Sequence, residues 1–296
     1  MSELTNFSNA LTSAVEKGGG STVLVDARKR YPASGIAYAE DLVLTADHVV
    51  TREDIKVTLP DGKSLAATVA GRDAGSDLAL LKLAEKVLTP AKTSNEIKVG
   101  QLVLALGRPN ASGIQASWGI VTAISGPART HRGGLLDEYI QSETTPYPGF
   151  SGGPLVNTEG EILGLNTSGL THGSALTIPI NVAWRIAGEL AKHGSVKRGY
   201  LGVRTQPVEI PEAARKNLKR DQTSGLLVLW LEENGPAQQG GLFVGDTIVA
   251  IANQPVSDPD DLFAALNNET VGKSVAVEVL RGGKPETVNV KVGERK

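Results

Sequence analysis

From residue 21 to residue 178 the chain is a train of short apolar or β-branched runs, each stopped by turn-forming residues, with hardly any helical period between them. The runs are Ser21 to Val25, Gly35 to Tyr38, Leu42 to Thr45, Ile55 to Leu59, Ala66 to Val69 and Leu78 to Leu83. They continue through Leu102 to Leu106, Gly119 to Thr122, Tyr139 to Ser142, Leu155-Val156, Ile162 to Leu165 and Ser174 to Ile178. Strands at this spacing predict a closed barrel or a sandwich made almost wholly of β structure. Glycine agrees: 34 of the 296 residues are Gly, without a low-complexity tract, so the chain makes many tight turns.

Helical patterns flank this train. Leu4, Phe7, Leu11 and Val15 share one face of a short N-terminal helix that Gly18-Gly19-Gly20 ends. Asn181 is placed to cap a second helix, with Val182, Ile186 and Leu190 on one face and Lys192-His193 before Gly194. The expected organisation is an N-terminal helical segment over 1–19, a β domain over 20–193, a linker over 194–199 and a smaller domain over 200–296. The last mixes strands (Leu226 to Leu231, Thr247 to Ile251, Val275 to Leu280, Thr287 to Val292) with two helices, one starting at Gly235-Pro236-Ala237 and one running from Pro259 to Asn267.

Composition excludes several functions. A net charge of −2 and 4% aromatic residues leave neither the basic stripe nor the stacking platform of a nucleic-acid binder. Zero Cys excludes disulfides, Cys-ligated zinc and thiol nucleophiles. His131, His172 and His193 are scattered without metal-ligand spacing, so neither a metal nor another cofactor is expected. No apolar run approaches the roughly 18 residues that span a bilayer. Met1-Ser2-Glu3-Leu4 has no basic start followed by an apolar stretch, which predicts a cytoplasmic protein as written, with the periplasm or cell envelope as the alternative if a signal segment was removed. Trp118 and Trp184 read as core or interface residues, and Arg28-Lys29-Arg30 as a solvated loop.

Three segments can carry chemistry together. His48 ends a strand in Thr45-Ala46-Asp47-His48-Val49-Val50, Asp77 opens an apolar strand in Ser76-Asp77-Leu78-Ala79-Leu80, and Ser151 sits in Pro148-Gly149-Phe150-Ser151-Gly152-Gly153-Pro154. Nucleophilic acyl transfer needs a hydroxyl, a base to take its proton, a carboxylate to orient that base, and backbone N–H groups facing the developing oxyanion. Glycines around a serine suit the last task, because a carbonyl oxygen can approach an N–H that no Cβ shields. An aspartate set against Leu78 and Leu80 would be costly to bury unpaired, and an imidazole donor relieves that cost.

In these motifs the chain resembles the HtrA/Deg-type serine proteases, trypsin-like enzymes with a chymotrypsin-like domain followed by a PDZ domain. The resemblance rests on Thr45 to Val50, Asp77 to Leu83, Gly119-Ile120-Val121, Gly149 to Asn157 and Ile178-Pro179-Ile180-Asn181. In the second half it rests on Arg198-Gly199-Tyr200-Leu201-Gly202-Val203, Gly235-Pro236-Ala237, Gly241-Leu242, Gly245-Asp246-Thr247-Ile248 and Asn253-Gln254-Pro255-Val256. It implies a mainly β fold: a chymotrypsin-like double β-barrel followed by a small α+β PDZ domain. By position, it implies His48 as base, Asp77 as its orienter, Ser151 as nucleophile, and the backbone N–H groups of Gly149 and Ser151 as the oxyanion hole. It assigns Leu165, Asn166, Thr167 and Ser168 to substrate pairing and the specificity pocket, with Leu176 and Ile178 on the opposite wall. Thr145, six residues before the nucleophile, would form the pocket floor; with no acid there, cleavage is expected after small or medium aliphatic residues.

The PDZ resemblance assigns Tyr200, Leu201, Gly202 and Val203 to capture of a terminal carboxylate, with Leu262 and Leu266 on the helix that forms the other wall of the groove. The implied function is ATP-independent cleavage of unfolded or misfolded protein, since no Gly-x-x-x-x-Gly-Lys-Ser/Thr motif is present. The implied partners are unfolded substrates and C-terminal peptides. The N-terminal helix either docks on its own domain or, as in the family, contributes to a homotrimer. Tyr147 and Phe150 depart from the family's usual asparagines in the loop that builds the oxyanion hole, and Asp47 beside His48 is also unusual. The two aromatics keep open an alternative, a peptide-binding adaptor or chaperone with a silent protease site, and predict a resting loop that is only partly competent.

Overall fold

The computed structural model of the protein describes residues 2–130, 134–170, 176–197, 199–218, 220–266 and 270–294. Met1, His131, His172, Ser174, Arg198 and Asn267, which figure in the sequence expectations, lie outside the described residues. The chain forms two compact units, Met1–Val196 and Lys197–Lys296.

The first unit opens with α1 (Glu3–Gly19), capped by Ser2, whose hydroxyl accepts the Thr5 N–H at 3.2 Å. The expected terminator glycines have another role. Gly18 and Gly19 lie inside the helix and are buried, and a Cβ on Gly18 would stand 2.8 Å from Leu106 Cδ1 and 3.0 Å from Val156 Cγ1. They let α1 press against the second barrel, while Leu4 and Phe7 remain exposed.

Two closed six-stranded barrels follow. The first comprises β1 (Thr22–Asp26), β2 (Ala33–Ala39), β3 (Leu42–Ala46), β4 (Ile55–Thr58), β5 (Ser64–Asp73) and β6 (Leu78–Leu83), in the order β1-β2-β3-β6-β5-β4. The second comprises β7 (Leu102–Gly107), β8 (Gln115–Ser125), β11 (Tyr139–Ser142), β12 (Pro154–Val156), β13 (Ile162–Thr167) and β14 (Leu176–Pro179), in the order β11-β14-β13-β12-β7-β8. A small hairpin, β9 (Ala128–Arg129) with β10 (Leu135–Leu136), intervenes. Val23, Val25, Val43, Val57 and Leu81 fill the first barrel; Val103, Val121, Ile140, Phe150 and Leu155 fill the second. Each such side chain contributes about 1.5–3 kcal/mol on burial. A third cluster joins the barrels through Leu44, Leu78, Leu80, Leu104, Leu106, Leu165 and Ile178.

Helix α2 (Ile180–His193) adds Val182, Ile186 and Leu190 to that cluster and ends at Gly194, whose φ is 73°. Its start differs from the sequence expectation: Ile180 is already helical, Pro179 occupies the cap position, and Asn181 Oδ1 accepts the next N–H, that of Val182, at 2.9 Å. Trp184 is half-buried edge-on to Tyr38, whereas Trp118 is exposed on β8 and belongs to no core.

The second unit holds β15 (Gly199–Tyr200), β16 (Val203–Glu209), α3 (Glu212–Arg215), β17 (Ser224–Leu231), α4 (Pro236–Gln239), β18 (Thr247–Ile251), β19 (Gln254–Pro255), α5 (Pro259–Ala265), β20 (Ser274–Arg281), β21 (Lys284–Lys291) and β22 (Gly293–Glu294). The main sheet runs β16-β17-β18-β20-β21, β19 pairs with β18, and β15 pairs with β22. The short helix α3 was not expected from sequence; β16, the edge strand expected to begin within Tyr200 to Val203, starts at Val203 and runs through Pro207, largely exposed as an edge strand is. Among the described residues no helix is long and apolar enough to cross a membrane.

Candidate functional site

His48 sits in a single 3-10 turn, Asp47–Val49, at the end of β3, and Asp77 immediately precedes β6. β3 pairs with β6 from Leu42 opposite Lys82 to Ala46 opposite Leu78, which brings the two residues side by side. The His48 N–H donates to Asp77 Oδ1 at 2.9 Å, and His48 Nδ1 lies 2.8 Å from Oδ2. The Thr167 hydroxyl donates to the same Oδ2, and its oxygen accepts the Gly169 N–H at 2.9 Å. Asp77 is fully buried. Burial pushes its pKa up, but the hydrogen bond and charge of the His48 ring, the Thr167 hydroxyl and the His48 N–H outweigh that and hold the carboxyl below its ordinary value.

The turn that carries His48 is itself clamped. Arg72 Nε lies 2.6 Å from Asp47 Oδ1, and its NH2 reaches the carbonyls of Asp47 and Val50 at 3.3 and 3.0 Å. Asp47, unexpected beside the histidine, is thereby buried with a partner. Gly169 closes the pair from above: a Cβ there would stand 2.5 Å from His48 Nδ1 and overlap Asp77 Oδ2.

Ser151 enters from the second barrel. Gly149 has φ 91°, and the Phe150 N–H donates to Tyr147 O at 3.0 Å, closing a turn with Pro148 and Gly149 at its centre. The Ser34 hydroxyl donates to Gly149 O at 2.7 Å and accepts the Arg108 N–H at 2.8 Å, while the Ser34 N–H donates to Ser151 O at 3.1 Å. The N–H groups of Gly149 and Ser151 donate to no protein acceptor among the described residues. The Ser151 hydroxyl lies 3.2 Å from that of Ser168. Phe150, expected to disturb the loop, has its ring 1% exposed in the core of the second barrel, with Tyr147 edge-on at 5.4 Å between centroids. Both aromatics are accommodated while the turn is formed.

A cavity of about 860 Å³ surrounds Ser151. Asn166, Thr167, Ser168 and Leu176 line it, as do Ala105, Ile140, Thr144, Pro146 and Thr177, which the sequence did not point to. Three sequence assignments are corrected. Thr145 is exposed outside the cavity, its carbonyl accepting from Ser117 and Tyr147; Pro146 and Pro148 shape the loop so that counting back six residues lands beside the wall. Leu165 and Ile178 are cross-strand partners, fully buried in the cluster between the barrels, and neither lines the cavity.

In the second unit, Tyr200 pairs with Gly293, Leu201 is buried, Gly202 has φ 74°, and Val203 opens β16 opposite Leu231. The N–H groups of Leu201 and Gly202 donate to no protein acceptor among the described residues. Leu201, Leu262 and Leu266 share one apolar cluster, with Val203 packed against it, so the loop, the free edge of β16 and α5 adjoin one another. Asp258 caps α5, accepting the N–H groups of Asp260 and Asp261. The expected C-terminal end of that helix falls short: Ala265 is its last residue.

Comparison with known proteins adds to this geometry. A trypsin-like peptidase domain model matches residues 33–165, and a PDZ domain model matches residues 199–292. A probable periplasmic serine endoprotease, DegP-like, of Pseudomonas putida is 38% identical over 269 residues, covering 88% of this chain and 55% of its own. Its counterpart in Halomonas elongata is 37% identical over 276 residues, covering 90% and 57%. The chain thus spans about half the length of these curated relatives. A solved structure of the HtrA-type protease AlgW, carrying one serine-to-alanine substitution and holding a tripeptide, superposes with a TM-score of 0.82 at 30% identity, covering 97% of each chain. The expectation of a cytoplasmic location is corrected by these relatives, which are named periplasmic and point to the periplasm instead.

Proposed function

Since this chain belongs to the HtrA-type serine protease family, we propose that it is an ATP-independent serine endopeptidase that cleaves unfolded or misfolded protein in extended form. The observation that carries the reading is the His48–Asp77 pair, joined by two hydrogen bonds, with Asp77 fully buried and also held by Thr167, a residue that lines the same cavity as Ser151. With Nδ1 engaged by Asp77, Nε2 is the nitrogen left to accept a proton. In the proposed cycle Ser151 Oγ bonds to the scissile carbonyl carbon as His48 Nε2 takes its proton. The C–N bond then breaks as that proton passes to the leaving nitrogen. Water repeats the sequence on the ester, returning Ser151 and releasing the acid.

The Gly149 and Ser151 N–H groups would bind the oxyanion, and their lack of a protein acceptor among the described residues supports that role. Asn166 to Ser168 would pair with substrate main chain. Ala105, Ile140 and Leu176 offer an apolar wall suited to small or medium aliphatic side chains before the cut. The proposed protease domain covers 20–193, the linker 194–199 and the PDZ domain 200–296. There the Leu201 and Gly202 N–H groups, without a protein acceptor among the described residues, would bind a terminal carboxylate and the β16 edge would pair with the peptide backbone, beside Leu262 and Leu266. Exposed Leu4 and Phe7 on α1 favour burial against other copies in a homotrimer, which mass in solution would test. The test of function is digestion of an unfolded protein such as casein, with Ser151→Ala as control. Cleavage by wild type alone is expected; equal digestion by Ser151→Ala would overturn the assignment.

A further inference from the structure

The bend between β1 and β2 carries Arg28, Lys29 and Arg30 in succession, and all three line the cavity that holds Ser151. Sequence alone suggested a solvated loop. Among the described residues none of the three has a carboxylate within ion-pair distance, although other arginines of the same unit do, Arg52 with Asp26 and Arg72 with Asp47. Arg28 is half-buried and bonds only to carbonyls: its Nε donates to Tyr31 O and its NH2 to Pro32 O at 3.4 Å. Burial lowers its pKa. Glu143, the carboxylate that lines the same cavity, is exposed and pairs with none of them.

The position of the bend sets which part of a substrate meets it. Ala27 O accepts the N–H groups of Thr51 and Arg52 at 2.8 and 3.0 Å, which ties one end of the bend to the segment following His48. The other end, Pro32, has its carbonyl 3.0 Å from where a Cβ on Gly149 would stand. The bend therefore spans from the segment after the histidine turn to the oxyanion loop, and it lines the same cavity as Asn166 to Ser168. On the endopeptidase reading, with the acyl half of a substrate paired with Asn166 to Ser168, the half beyond the scissile bond is the one that would pass the bend.

We infer that Arg28, Lys29 and Arg30 form an anion subsite for the leaving half of the substrate, selecting Asp or Glu within the first few residues after the scissile bond. The inference rests on the endopeptidase reading above. It is tested with paired fluorogenic peptides that differ only in Glu or Gln at those positions, with product ends sequenced to locate the cut. The expected result is a kcat/KM about three- to tenfold higher for Glu peptides at low salt, shrinking as salt screens the contact. Arg28→Gln/Arg30→Gln should bring the ratio near one; Lys29→Gln/Arg30→Gln, both exposed positions, serves if the first pair folds poorly. Equal rates for Glu and Gln peptides with the wild type at low salt would overturn the inference. If neither peptide is cut, the endopeptidase reading fails, and binding of the same peptides to the Ser151→Ala protein decides the subsite separately: tighter binding of Glu peptides sustains it, and equal binding refutes it.

Discussion

Phe150 lies between the two proposed oxyanion donors, and truncating it should expose how the loop is held. Its ring is 1% exposed and packs with Val103, Val121, Ile140 and Leu155. Transfer of such a ring from water contributes about 1.5–3 kcal/mol, and the edge-on contact with Tyr147 adds about 0.5–1.5 kcal/mol. With the cavity left behind, Phe150→Ala should cost about 3–5 kcal/mol. The same change frees the Gly149–Phe150 peptide to turn, and loss of one donor lowers turnover by about 10²–10³. Stability is measured by denaturant unfolding in the Ser151→Ala background, which prevents self-digestion. Turnover is measured by peptide hydrolysis in the Ser151 background, where kcat should fall more than KM rises. Gly107→Ala attacks the same ring from its other face, since its Cβ would stand 2.5 Å from Phe150 Cδ1, and should lower kcat in parallel. A Phe150→Ala protein within about 1 kcal/mol of its parent and with unaltered kcat would refute the anchoring argument.

Asp77→Asn should leave the fold intact and cost about 10⁴ in kcat by favouring the wrong His48 tautomer, read by steady-state peptide hydrolysis. Because the Asp77 pKa is held below its unfolded value, its stabilising contribution is complete above the ordinary carboxylate range and is lost as pH falls through the lower folded value. Unfolding of Ser151→Ala with and without Asp77→Asn should therefore converge only in acid. Gly169→Ala should separate His48 from Asp77 and cost about 10²-fold or more in kcat with binding of substrate less affected; wild-type turnover would refute the lid role. In the second unit, Asp246 is buried, accepts the Phe243 N–H and pairs with Arg281, so Asp246→Asn should cost about 2–3 kcal/mol, discounted for the partly exposed arginine, in thermal unfolding.

The β runs of the first unit and the triad candidates were legible because each rests on local chemistry, whereas closure into two barrels was implied by the family resemblance. Strand runs bounded by turn formers announce themselves residue by residue, and His48, Asp77 and Ser151 occupy turn positions whose neighbours have the right flexibility. What escaped depends on pairings distant in sequence. Ser34 is a small polar residue in an apolar strand; its role as a brace for Gly149 appears only when β2 meets the serine loop. Arg72 looks like any surface cation until β5 brings it to Asp47. Thr167 was assigned to substrate, yet its hydroxyl faces Asp77. Gly18 and Gly169 are glycines of close approach, not of turning, which composition cannot distinguish.

Asp77 shows what such pairings accomplish energetically. Its φ is 56°, in the left-handed region, which costs a non-glycine residue about 1–3 kcal/mol. Its carboxylate is also buried, a further cost of several kcal/mol for an isolated charge. Against these stand hydrogen bonds from the His48 ring, the His48 N–H and Thr167, each about 1.5–3 kcal/mol when the acceptor is charged. The bonds win only if all are made together, so the strained conformation persists because the histidine turn and β13 over-determine it. That turn is in turn held by Arg72 through Asp47, which leaves the imidazole little freedom beyond its second nitrogen. The two acids beside the imidazole are thus each bound to a partner within the site, whereas among the described residues the cations of the β1–β2 bend have no carboxylate partner. An acid arriving there with a substrate would meet Glu143 as the one carboxylate among the described residues lining that cavity, and it is exposed and paired with none of the three.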